Sequence, residues 1–144
     1  MGTHRDLKLL YLVICDSFST EPTTGKRSFQ GLFDKIMVNK LPSSHSMLTV
    51  AFGLEGGEGT CQIWTKLINP DGKEILGSPI IPVTPKDPYR REDMILQLNG
   101  LKFETLGRYE VRVVSGEKEQ RVLGSHPIYI EQIQSSDAIK SREK

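Results

Sequence analysis

Hydrophobic positions in this chain recur mainly at every second residue, in short runs broken by Gly, Asn, Asp and Pro, which is the pattern of strands with one buried side. In "MLTVAFGL", Leu48, Val50 and Phe52 fall on one side and Met47, Thr49 and Ala51 on the other. After the turn "EGGEG", "TCQIWTKLI" places Cys61, Ile63 and Leu67 together, with Gln62, Trp64 and Lys66 in the opposite phase. "NPDGKEIL" reads as a tight turn and a returning strand, because Asp71-Gly72 supplies the left-handed positions a hairpin needs. "EDMILQLNG", "RYEVRVV" and "EQRVL" are three more strands, and "IYIEQI" is a last short one after Gly124, Ser125, His126 and Pro127. With "LKLLYLVIC" and "SFQGLFDKIMV" at the front, the pattern predicts about eight or nine strands in an all-β, antiparallel two-sheet sandwich. Residues 29–38 stay open between strand and helix, since Leu32, Phe33, Ile36 and Met37 also suit one helical turn.

The run "LKLLYLVIC" is apolar in both phases, whereas an edge strand of a monomer normally keeps one wet side. Either residues 29–38 cover it or a second copy does, so a homodimer stays open. The run is far short of the ~20 residues of a membrane-spanning helix. Asp16-Ser17 after it does not resemble a signal-peptide cleavage site. Gly2 lacks the Ser or Thr at position 6 that myristoylation wants. The expected location is the cytoplasm, and two cysteines, Cys15 and Cys61, suit a reducing compartment. The 144 residues fit one domain, 1–134, followed by a polar tail at 135–144.

The stretch "LQLNGLKFETLGRYEV" spaces Leu96, Leu98, Leu101, Gly107, Tyr109 and Val111 in a way that resembles the E–F region of immunoglobulin-like domains. The resemblance implies a sandwich in which the Tyr109 hydroxyl reaches back to upstream backbone, the tyrosine corner. Thr105 stands where that family often has Asp, and Val50 and Val111 stand where antibody domains carry bridging cysteines, so the expected relative is free of disulfides. An unrelated antiparallel sandwich with a Gly-x-Tyr strand start is the alternative. The short length, the early "ICDSF" and the late Gly-x-Tyr strand also resemble a group of small uncharacterised bacterial proteins, a resemblance that implies no activity.

Charge adds little, since 19 Lys and Arg against 18 acids give a net +1 and point to neither nucleic acid nor an anionic membrane. Cys15-Asp16 is the best candidate nucleophile, with His4, His45 and His126 as candidate bases, but the apolar neighbours of Cys15 favour a packed thiol. No His stands at metal-ligand spacing to another His or Cys. "LEGGEG" lacks the Lys-Ser or Lys-Thr of a phosphate loop, and Glu55, Glu58, Glu92 and Asp93 form no calcium-loop pattern. The sequence therefore points to no catalytic residue, cofactor or metal.

Binding offers more. If Cys61, Ile63 and Leu67 line the core, Trp64 and Lys66 point outward, and in the immunoglobulin-like arrangement Arg112 and Arg121 join them on one sheet face. A bulge that turns Trp64 into the core is the competing reading. In "SPIIPVTPKDPYRR" a proline recurs at every third position, Pro79, Pro82, Pro85 and Pro88, as in a polyproline II strip. Pro85 to Arg90 matches a proline-x-x-proline-x-Arg docking motif, yet Ile80, Ile81 and Val83 call for burial, so the stretch reads as a stiff crossover that blocks edge pairing, with Tyr89 and Arg90 exposed beyond it. Two function classes follow. One is a non-enzymatic intracellular module that binds a protein through Trp64, Lys66, Arg112 and Arg121 or through Tyr89 and Arg90; the other is a small-molecule-binding protein or enzyme whose site is assembled around Cys15 and Asp16.

Overall fold

The computed structural model describes residues 7–57, 59–87, 89–116 and 120–133. Gly2, His4, Glu58, Pro88 and the tail at 135–144 lie outside the described residues. Ten strands follow in order: β1 (Lys8–Thr20), β2 (Arg27–Leu32), β3 (Lys35–Val38), β4 (Ser43–Glu55), β5 (Cys61–Ile68), β6 (Glu74–Gly77), β7 (Ile81–Val83), β8 (Glu92–Phe103), β9 (Gly107–Ser115) and β10 (Arg121–Gln132). There is no helix among the described residues. One sheet has the order β2-β1-β4-β8; the other runs β3-β10-β9-β5-β6, with β7 also paired to β5.

The alternating pattern explains the core. Ile14 of β1, Leu48, Val50 and Phe52 of β4, and Leu98 of β8 face Ile63, Leu67, Val111, Val113 and Ile128 from the other sheet, all at 1% exposure or less. Each such side chain contributes about 1.5–3 kcal/mol by leaving water. In β8 the inward phase steps from Leu96 and Leu98 to Leu101 and Phe103, and Gly100, with φ of 66°, supplies the left-handed residue at that step. The predicted turn after β5 forms as expected: Asn69 Oδ1 accepts from the Asp71 and Lys73 amides at 3.0 and 2.8 Å, and Gly72 has φ of 87°.

Tyr109 closes a corner. It is 1% exposed, its hydroxyl donates to the Thr105 carbonyl at 2.8 Å, and its ring meets Phe103 edge-on at 5.0 Å.

Four details differ from the expected count and pairing. Residues 27–38 form two strands and no helical turn, one strand in each sheet. β3 pairs parallel to β10, whereas the other pairings among the described residues are antiparallel. The segments around Arg121–Leu123 and Ile128–Glu131 are one strand, not two. Pro127 is tolerated there because β3 joins β10 only from Tyr129, leaving one flank of the strand without a ladder. Finally, β7 is an extra edge strand inside the proline stretch, with Pro82 opposite Gln62. Ile81 and Val83 are half-buried there, whereas Ile80 is 59% exposed. After β7 the chain crosses to β8 in the other sheet, the stiff connector expected of this stretch.

What covers the doubly apolar β1 is visible in one distance. Phe29 is the register partner of Phe18, seven residues past Tyr11, so a straight strand would hold it about 23 Å away. The Tyr11 and Phe29 rings are instead 6.3 Å apart. The hairpin formed by the second half of β1 and by β2 therefore folds back as an arm over the outward face of its own sheet. Beneath it Cys15, Thr49 and Ala51, all in the outward phase of β1 and β4, are 1% exposed or less.

Candidate functional site

The six-stranded sheet presents the candidate surface, and register determines what shares it. Ile63, Thr65 and Leu67 of β5 are all buried, so Gln62, Trp64 and Lys66 point outward, and no bulge interrupts the β5–β9 pairing. Trp64 stands opposite Val114 of β9, which stands opposite Val122 of β10. This gives an apolar row across three strands: Trp64 partly buried, Val114 fully buried outside the core cluster, and Val122 50% exposed. The next row is Lys66, Arg112 and Ser125, and the one after it Ile68, Glu110 and Pro127.

The charges on this face are already engaged. Glu110 accepts from Arg112 Nε at 2.8 Å and from Arg108 Nη1 at 3.0 Å. The Arg112 hydrogen bond, with Arg108 beside it, holds the Glu110 carboxyl below the usual range even though partial burial works the other way. Lys66 Nζ lies 3.7 Å from Glu74 Oε1 and donates to Gln120 Oε1 at 3.0 Å. The expected cationic ring around Trp64 is thus a lattice of alternating charge.

Of the residues expected to bind, Trp64, Lys66 and Arg112 come together on one face. Arg121 does not. Its register partner is Ser115, which pairs with Ile63, so Arg121 carries the inward phase at the end of its strand. The cause is an irregularity at Leu123, between Val122 and Gly124: carrying the phase of Ser125, Pro127 and Tyr129 straight back would have put Arg121 outside. Tyr89, 68% exposed, and Arg90 sit in a turn ahead of β8 and away from these rows. In that turn the Tyr89 amide donates to Asp87 Oδ1 at 2.9 Å and the Arg90 amide to the Asp87 carbonyl at 3.1 Å, so the chain turns where the docking motif would need an extended strip.

The alternative centre takes a different form. Cys15 is 1% exposed, and burial, with Asp16 second, pushes its thiol up from its ordinary value, which disfavours the thiolate. His45 lies beside the Phe33 ring at 6.5 Å, and His126 Nδ1 is 2.8 Å from the Pro127 carbonyl. Among the described residues no three His, Cys, Asp or Glu side chains gather as a metal site, and no helix is long and apolar enough to cross a membrane.

Sequence reasoning missed a cluster on the other sheet. The Tyr11 hydroxyl donates to Asp93 Oδ1 at 2.8 Å, Arg91 Nε reaches the same oxygen at 2.8 Å, and the Arg91 guanidinium lies 5.9 Å from the Tyr11 ring centre. Burial, then the Asp93 hydrogen bond, push the Tyr11 phenol up to about 12. Gly53 makes this possible, since a Cβ there would stand 2.3 Å from Tyr11 Cε1. Its one signal in the sequence is a Gly inside the apolar "VAFGL" run, at a position where a strand gains from a side chain.

No curated protein matches the chain. A family model described as a family of unknown function (DUF6941) matches residues 10–131, from within β1 into β10, and the chain belongs to that family.

Proposed function

We propose that this protein is a non-enzymatic, cytoplasmic interaction module built as an immunoglobulin-like sandwich, and that it binds a protein partner through the outward face of β5, β9 and β10. The immunoglobulin-like reading is supported by strand order: β1, β4 and β8 fill the places of strands A, B and E, while β5, β9 and β10 fill those of C, F and G. The Tyr109 corner supports it as well. The binding reading rests on one observation, the row Trp64–Val114–Val122, where a large aromatic and a half-exposed valine lie in a rim of engaged charges. Interfaces favour an apolar centre with Trp and Arg as anchors. The partner would place an apolar side chain on Trp64 and Val122 and compete with Glu110 and Glu74 for Arg112 and Lys66. Cytoplasmic residence is supported by two cysteines that form no disulfide. The balanced charge favours protein over nucleic acid or membrane.

The test is quantitative capture from native lysate with wild-type protein and Trp64→Ala in parallel, with sedimentation of each alone to score a second copy as the partner. The reading predicts proteins retained by wild type and lost from a Trp64→Ala variant that melts cooperatively. Identical retention by the two would end it.

A further inference from the structure

A cleft of about 350 Å³ lies at the seam of the two sheets, away from the Trp64 row, lined by Val13, Ile14, Leu32, Phe33, Asp34, His126 and Pro127. Its construction follows from the topology. The two-residue link Phe33-Asp34 carries the chain from β2 in one sheet to β3 in the other. Both ends of the link are tied down: the Phe33 amide donates to the Ile14 carbonyl at 3.1 Å, and the Tyr129 amide to the Asp34 carbonyl at 2.7 Å. Because β3 joins β10 only from Tyr129, the flank of His126 and Pro127 carries no hydrogen-bonded strand among the described residues, and the cleft opens there between β10 and β1.

The chemistry of the lining is selective. Most of the wall is apolar, including Leu32 at 62% exposure, a cost the fold accepts at the rim. Among the described residues the Asp34 carboxylate has no ion pair or side-chain hydrogen bond; its backbone carbonyl does the structural work. His126 Nδ1 donates to the Pro127 carbonyl, which leaves Nε2 as the ring nitrogen without a partner among the described residues. The polar side-chain groups of the lining are then the carboxylate of the exposed Asp34 and an imidazole nitrogen, and the carboxylate asks for a cationic donor. Binding sites of small molecules combine such apolar walls, a few convergent polar groups and a preformed backbone, at volumes of roughly 300–1,000 Å³.

We infer that this cleft is a binding site for a small organic amine, with its ammonium at Asp34 and a ring-sized apolar body against Val13, Leu32 and Phe33. The ligand's charge is the discriminating feature, since an uncharged isostere would keep the apolar contacts and lose the pairing with Asp34.

The experiment is an NMR titration of the full chain with benzylamine, and in parallel with benzyl alcohol as its uncharged counterpart. Saturable shifts at Val13, Leu32, Phe33 and His126 are expected from benzylamine, which should bind more tightly than the alcohol. Asp34→Asn keeps the backbone carbonyl and should weaken benzylamine about fivefold while leaving benzyl alcohol unchanged. Leu32→Ala, at an exposed rim position, should weaken both probes. The inference fails if benzylamine produces no saturable shift at these residues, if the two probes bind equally, or if Asp34→Asn leaves benzylamine affinity as it was.

Discussion

The two outward faces of the sandwich carry different chemistry and have different fates. On the four-stranded sheet the outward residues of β1 and β4 include Tyr11, Val13, Cys15, Thr49 and Ala51, and the chain folds its own β1–β2 arm over this face. On the six-stranded sheet the outward rows alternate Lys66, Arg112, Arg108 and Glu110 with Trp64 and Val122, and among the described residues no strand crosses them. An apolar face left in water costs about 25 cal/mol per Å², so a chain that has such a face gains by spending residues to cover it. A face whose charges pair within the sheet needs no cover and can keep an apolar row for a partner. Contrast between the faces, more than either face alone, argues for binding on the six-stranded side.

The sharpest way to break this contrast is to place the same charge on each face. Ala51→Glu buries an unpaired carboxylate under the arm and should cost about 3–5 kcal/mol, to the point of unfolding. Ser125→Glu, in the row of Arg112, should stay within about 0.5 kcal/mol of wild type. Urea denaturation of both variants decides it, and equal losses would mean that the arm does not close over the four-stranded sheet.

The next effect tests what holds Tyr11 beneath the arm. Tyr11→Phe removes the hydroxyl that Asp93 accepts and should cost about 1–2 kcal/mol. The phenol sits at about 12 in the folded protein against 10.0 for an ordinary tyrosine. A folded value above the unfolded one means stability that is complete below pH 10 and disappears as the pH climbs to 12. The gap between wild type and Tyr11→Phe should therefore narrow across that window in melts of the two proteins, and a constant gap would exclude the titration as its cause.

How far the sequence disclosed these faces depends on how far apart the partners are. The phase of Ile63 and Leu67 left Trp64 open between an outward position and a bulge into the core, which the unbroken β5–β9 register decides for the first, and the Tyr109 corner was implied by the resemblance of residues 96–111 to an E–F region. Apolar residues in both phases of β1 signalled that both sides were covered. They left the cover open between residues 29–38 and a second copy, since a fold-back of one hairpin leaves no periodic trace; the arm that supplies it includes residues 29–32. Arg121 was misplaced by a single irregularity at Leu123, because one extra residue reverses the phase of everything before it. The Tyr11–Asp93 pair spans 82 residues and depends on the β1–β4 and β4–β8 registers together, which no local pattern encodes.

On the six-stranded side, Trp64→Ala sharpens the comparison from the other direction. A partly buried tryptophan over a buried valine should cost about 1 kcal/mol, well below the roughly 3–5 kcal/mol of a core aromatic such as Phe52→Ala. Thermal melts of the two variants give the ratio, and comparable losses would place Trp64 in the structural core.

The smallest expected effect bears on whether charge pairing is what lets this face stand uncovered. Glu110→Gln removes the carboxylate between Arg108 and Arg112 and leaves two guanidiniums of like sign on one strand. Because the pairs are only partly buried, the loss should be at most about 0.5–1 kcal/mol at low salt and should shrink as salt screens it, over a Debye length of about 10 Å at 0.1 M. The sign with pH is opposite to that of Tyr11. Glu110 is held below the usual carboxylate range in the folded state, so its contribution is present at neutral pH and is lost as the pH falls through its folded value. Wild type minus Glu110→Gln stability, measured by urea titration at several salt concentrations and pH values, should thus be largest at low salt and neutral pH. A difference indifferent to both would mean that Glu110 acts through packing against Ile68 and Pro127, and that the ion pairs are not the reason this face does without an arm.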